Sequence, residues 1–112
     1  VPPLRASALA VLARILLARG QAEEALGPAR EAHGLLESLG AIEEGEAIVR
    51  LAYAEALLAN GDVEGFARAV ASARDQVLAK ASRIRDPAGR ERFMTGIWDN
   101  ARTLALASRL DS

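Results

Sequence analysis

Gly20 and Gly61 each close a run of apolar residues at helical spacing, and a shift of 41 positions lays one run on the other. Under that shift Leu12 falls on Tyr53, Ala13 on Ala54, Leu16-Leu17-Ala18 on Leu57-Leu58-Ala59, and Gln21 on Asp62. Beyond the glycines, Ala25 falls on Phe66, Ala29 on Val70, Ala32 on Ala73 and Leu36 on Val77. Apart from Gln21 and Asp62 at the turn, the matched positions are apolar or small, and the unmatched ones are mostly polar. A pattern of that kind is an internal structural repeat, in which each unit is unable to bury its apolar face alone. It predicts an all-α chain of antiparallel helical hairpins stacked side by side, with the matched positions buried.

Gly, Asn, Asp and Pro punctuate the rest. A first helix is expected from Pro3 to Arg19, with Leu9, Leu12, Ala13, Leu16 and Leu17 on its apolar face. A second follows from Ala22 to Leu39, with Glu23 and Glu24 in the first turn, where the helix dipole favours acids. Pro28 lacks a backbone donor and crowds the preceding turn, so a kink is expected near Glu24–Pro28. A third helix is read from Ile42 to Ala59 and a fourth from the N-cap Asp62 to Arg83. Asp86-Pro87 then opens a short fifth helix through Thr95, Gly96 breaks it, and a last helix runs from Trp98 or Asp99 to Arg109. The organisation is one helical-repeat domain over residues 1–112: a first hairpin at 1–40, a second at 41–85, and capping helices at 86–112. No strand pattern interrupts it.

The run Leu12-Ala13, Leu16, Gly20, Ala25, Ala29, Ala32 resembles a tetratricopeptide repeat, and so does Tyr53-Ala54, Leu57, Gly61, Phe66, Ala73. That resemblance implies an α-solenoid with a concave groove that takes protein or peptide partners. The repeat exceeds the family's usual length of about 34 residues, which implies longer helices, as in bacterial transcriptional activators of the MalT type. The aromatic that often follows this turn is absent from Gly20-Gln21 and Gly61-Asp62. The tail, from Asp86-Pro87-Ala88-Gly89 through Arg90-Glu91-Arg92-Phe93 and on to Asn100-Ala101-Arg102-Thr103, resembles the carboxyl end of large bacterial signalling proteins. Those proteins carry a serine/threonine kinase or ATPase module ahead of a helical array. The resemblance therefore implies an interaction scaffold in signalling or, alternatively, an effector-sensing repeat domain of a regulator. The start at Val1-Pro2-Pro3 reads as a cut from a longer chain.

Charge and composition narrow the partners. The formal net charge is -1, without the basic excess of a protein that holds a polyanion by itself, so no direct nucleic-acid partner is expected. There is no Cys, which excludes disulfides and thiolate metal sites. No apolar run approaches the roughly 18–20 residues of a membrane span, and no signal peptide is visible, so a cytoplasmic protein without a membrane partner is expected.

No phosphate loop, serine elbow or kinase signature is present, and neither catalytic residues nor a cofactor are expected. His33 stands on the second helix with no nucleophile near it in sequence, and reads as a surface or interface histidine. Glu43, Glu44 and Glu46 lack a completing ligand set and read as N-terminal helix charge rather than a metal site. Lys80, Arg83, Arg85, Arg90 and Arg92 form one basic cluster, either a solvated helix end or a partner surface. Trp98, the only tryptophan, is expected to pack the last helix onto helices four and five, the other reading being an exposed anchor. Arg14 and Glu55 coincide under the repeat shift and should lie side by side on stacked first helices. They are an exposed ion pair contributing at most about 1 kcal/mol, or a polar spot in a peptide groove with Ser7, Leu17, Leu51 and Leu58 around it. A third reading of the chain is a purely structural spacer or self-association element.

Overall fold

The computed structural model describes residues 2–42 and 45–111. Six α-helices are found among them: α1 (Pro2–Ala18), α2 (Ala22–Leu39), α3 (Glu46–Ala59), α4 (Val63–Ser82), α5 (Pro87–Glu91) and α6 (Trp98–Ala107). A π-turn over Arg92–Gly96 joins α5 to α6, a 3₁₀ turn over Ser108–Asp111 follows α6, and no strand occurs among the described residues.

The two hairpin turns are built alike. Gln21 donates its backbone N–H to the Leu16 carbonyl at 2.8 Å and Gly20 to Leu17 at 3.0 Å. Asp62 and Gly61 repeat this onto Leu57 and Leu58 at 2.9 and 3.0 Å. Each pair closes a Schellman motif, and the glycine takes the left-handed conformation at φ 76° and 81°. The carbonyls that end α1 and α3 are satisfied in this way, and the chain reverses within three residues. Asp62 adds an N-cap, its side chain accepting from the Gly65 N–H at 2.9 Å.

Helix α1 packs on α2 and α3, α2 on α3, and α3 on α4, while α6 lies against both α4 and α3. The α1–α2 interface is a seam of alanines: Ala6, Ala10 and Ala13 meet Ala25, Ala29 and Ala32, all fully buried. Side chains this small let two backbones approach closely, and the interface draws its stability from contact rather than bulk. Val49, Ala52 and Ala56 of α3 join the same cluster. A second cluster holds Leu51, Ala54, Leu57, Phe66 and Val70, with Leu106 and Ala107 of α6. Asn60 ties the units together, its side-chain amide donating at 2.8 Å to the carbonyls of Ala22 and Ala56.

Three expectations need correction. Leu12 is 44% exposed although its repeat partner Tyr53 is packed against α2; among the described residues no helix covers that side of α1. Helix α3 starts at Glu46 rather than Ile42, because Gly45 at φ 86° sets the chain direction only there. Glu43 and Glu44 lie outside the described residues. The fifth helix stops at Glu91, where the backbone widens into the π-turn. The buried Asn100 side chain donates to the Phe93 carbonyl within that turn at 2.9 Å. Helix α2 runs unbroken from Ala22 to Leu39 with Pro28 inside it, and the adjacent Ala29 is buried in the seam.

Candidate functional site

Arg14 of α1, Glu55 of α3 and Arg102 of α6 form a ladder across three neighbouring helices. Arg14 Nε donates to Glu55 Oε1 at 2.8 Å, and Arg102 Nε reaches Glu55 Oε2 at 3.5 Å. The Arg14 and Glu55 side chains are only 26% and 15% exposed, so water screens their attraction less than at an open surface. The Arg14 guanidinium also lies over the Trp98 ring, 4.2 Å from its centroid. One cation thus holds a carboxylate on one side and an aromatic face on the other, an arrangement worth more when partly desolvated. Two guanidiniums face one carboxylate here, which leaves a positive charge beside an apolar ring.

This overturns the expected role of Trp98. It is 54% exposed and meets α1 through Arg14 rather than filling the space between α6, α5 and α4. Arg102, one turn further along α6, was missing from the expected site. The 41-residue repeat does not reach it, since Arg102 stands 47 residues after Glu55. The signal available in sequence was its spacing of four from Trp98, which puts both on one helix face.

The remaining groove residues divide. Leu17 and Leu58 are half-buried and pack against the first and second clusters. Leu51 is 1% exposed and belongs to the core, so it lines no groove. Its repeat partner Ala10, in the buried series Ala6, Ala10, Ala13, was the clue to that placement. Ser7 is half-buried against Gly45, and a Cβ on that glycine would overlap its hydroxyl. It borders a separate shallow cleft with Leu4, Leu39, Ile42 and Ile48.

Other singled-out residues fall into ordinary packing. The His33 ring stacks on Tyr53 at 4.1 Å between centroids, with Nδ1 3.3 Å from Glu37. Burial pushes its pKa below the usual histidine value; Arg50 lowers it further, while the Glu37 carboxylate acts in the opposite direction. Glu46 is buried, pairs with Arg50 at 3.1 Å and accepts from the Ile42 N–H at 3.5 Å. The described residues hold no group of three potential metal ligands. In the basic cluster Arg90 donates twice to the Ile84 carbonyl, at 3.2 and 3.0 Å, and Arg92 stands 3.7 Å from Asp86. Arg83 and Arg85 are exposed.

A cleft of about 380 Å³ opens between α3, α4 and the start of α6. Ala73, Val77, Phe93 and Ile97 give it an apolar lining, and Glu46, Arg50 and Asn100 also line it. No described helix is long and apolar enough to cross a membrane. Set beside known proteins, the chain matches no family model, no curated protein and no solved structure.

Proposed function

We propose that this chain is a protein–protein interaction scaffold, part of a tetratricopeptide-like α-solenoid, whose groove runs across α1, α3 and α6. The observation that carries this reading is the Arg14–Glu55–Arg102 ladder with Trp98 exposed beside it. Helices α1, α3 and α6 present those groups to one side, and the surplus guanidinium suits a carboxylate on the partner. Trp98 offers an apolar plane next to that charge, as interface anchors do. The fitting partner is an extended peptide with an acidic residue near an apolar one. The setting that goes with it is the terminal part of a larger bacterial, cytoplasmic signalling protein, and the role is non-catalytic.

A peptide-display selection against the chain tests this. Enriched sequences should pair acidic with apolar residues, shift the emission of the single tryptophan to the blue on binding, and lose about tenfold in affinity with Arg102→Ala or Trp98→Ala by calorimetry. Peptides that bind both variants as tightly as the parent would sink the reading.

The 380 Å³ cleft favours a second one, an effector-sensing repeat domain, because its apolar lining is joined by the polar groups of Glu46, Arg50 and Asn100. A metabolite that raises the melting temperature of the parent, but not of a Val77→Trp variant, would select this reading over the first.

A further inference from the structure

Val49, Ala52 and Ala56 form the face by which α3 packs on α2, and all three are fully buried. The 41-residue correspondence carries them back onto Ala8, Val11 and Ile15 of α1. There the same face is open: Val11 and Ile15 are 49% and 50% exposed, and Leu4 and Leu12 extend the stripe. Tyr53 shows what the next position does when covered, since it stacks on His33 of α2, whereas its counterpart Leu12 meets no such cover. Residues 4, 8, 11, 12 and 15 follow the helical spacing of a single apolar stripe, so the exposure is one continuous surface rather than scattered side chains.

We infer that this stripe is a stacking face, and that its occupant is the second helix of a further hairpin of the same kind, lying on α1 as α2 lies on α3. The covering helix carries small residues at the spacing of Ala25, Ala29 and Ala32, because the side chains it meets on α1 are larger than those on α3. A second copy of this chain does not supply such a helix. The α2 seam is already filled by α1 and α3, and α4 is covered by α3 and α6. The outward side of α2 carries Glu23, Glu24, Arg30, Glu31 and Glu37, which would meet an apolar stripe without compensation. The inference rests on the stacked-hairpin half of the proposed function and not on its groove, so a failure of peptide binding leaves it standing.

The test joins a copy of residues 1–41 ahead of Val1, which sets the added α2 in the same register to α1 as α2 holds to α3. The chain has no cysteine, so an Ile15→Cys variant reports on the face directly. In the extended chain, the thiol on the original α1 should react with a maleimide at least about tenfold more slowly than in the 112-residue protein, and the melting temperature should rise. Leu26→Glu with His33→Glu in the added copy, on the side of the helix by which α2 meets α3, should restore both values. An unchanged labelling rate, a separate melting step for the added hairpin, or an extension that lowers the melting temperature overturns the inference. So does a 112-residue protein that sediments as a dimer and becomes monomeric with Ile15→Glu, because a second copy would then be the occupant.

Discussion

Arg14 and Glu55 stand 41 residues apart in the chain and 2.8 Å apart in space, the repeat length read as a hydrogen bond between equivalent positions of adjacent helices. Equivalence alone brings them together; their opposite charges then hold α1 to α3. Since both side chains are mostly covered, the coupling should exceed that of an open surface pair. A double-mutant cycle with Arg14→Gln and Glu55→Gln, followed by urea denaturation, should give a coupling of about 1 kcal/mol, falling only modestly in high salt. Glu55→Gln should be the more costly single change, because it also deprives Arg102 of its carboxylate.

Core depth differs sharply between two leucines that look alike in sequence. Leu51 is 1% exposed and surrounded by the second cluster, whereas Leu12 faces open space on α1. Leu51→Ala should cost about 2–5 kcal/mol by the large-to-small rule, and Leu12→Ala under about 1 kcal/mol in the 112-residue chain, both read from denaturant midpoints. Equal losses would mean that the α1 stripe is covered.

These contrasts mark what the residues announce and what they do not. The span of α2, both glycine turns and the buried series Ala25, Ala29, Ala32 and Leu36 follow from periodicity and local backbone chemistry, which act within a few residues. The Arg14–Glu55 pairing was legible because a repeat turns sequence distance into spatial adjacency. Leu12 was misplaced for the opposite reason: a repeat marks which face wants cover, while exposure depends on whether a neighbour is present. Arg102 and Trp98 come from α6, which follows the non-repeating π-turn, so no shift of the sequence aligns them with α1 or α3. The break at Arg92 likewise depends on a tertiary contact, Asn100 reaching back to Phe93, that no local preference encodes.

Gly45 makes a sharper demand than the other turn glycines. Its φ of 86° is costly for a side chain, and a Cβ there would overlap the Ser7 hydroxyl and come within 3.2 Å of Ser7 Cβ. Gly45→Ala should therefore lose about 2–3 kcal/mol, part conformational and part steric. Adding Ser7→Gly removes the overlap but not the strain, and so should recover the steric part less about 1 kcal/mol for a glycine inside α1. The four chains compared by thermal unfolding separate the two; purely additive losses would mean that Ser7 and position 45 do not touch.

His33 gives the fold a pH dependence of definite sign. Burial against Tyr53 and the nearby Arg50 lower its pKa in the folded chain relative to 6.5, outweighing the Glu37 carboxylate that favours the charged ring. Arg30, Arg68 and Asp62 line a surface cleft together with His33. The unfolded chain then binds the proton more readily than the folded one, so stability rises with pH across this titration. The contribution is intact above the unfolded value and is lost as pH falls through it toward the lower folded value. His33→Gln cannot take up that proton, and its stability should be flatter than the parent's as pH falls from about 7.5 into the range below 6.5. Melting temperatures of the two chains at matched ionic strength check this: the gap between parent and variant should move against the parent as the buffer is acidified. A gap that stays constant, or that moves in the parent's favour, would show that the ring accepts its proton as easily in the stack with Tyr53 as in water.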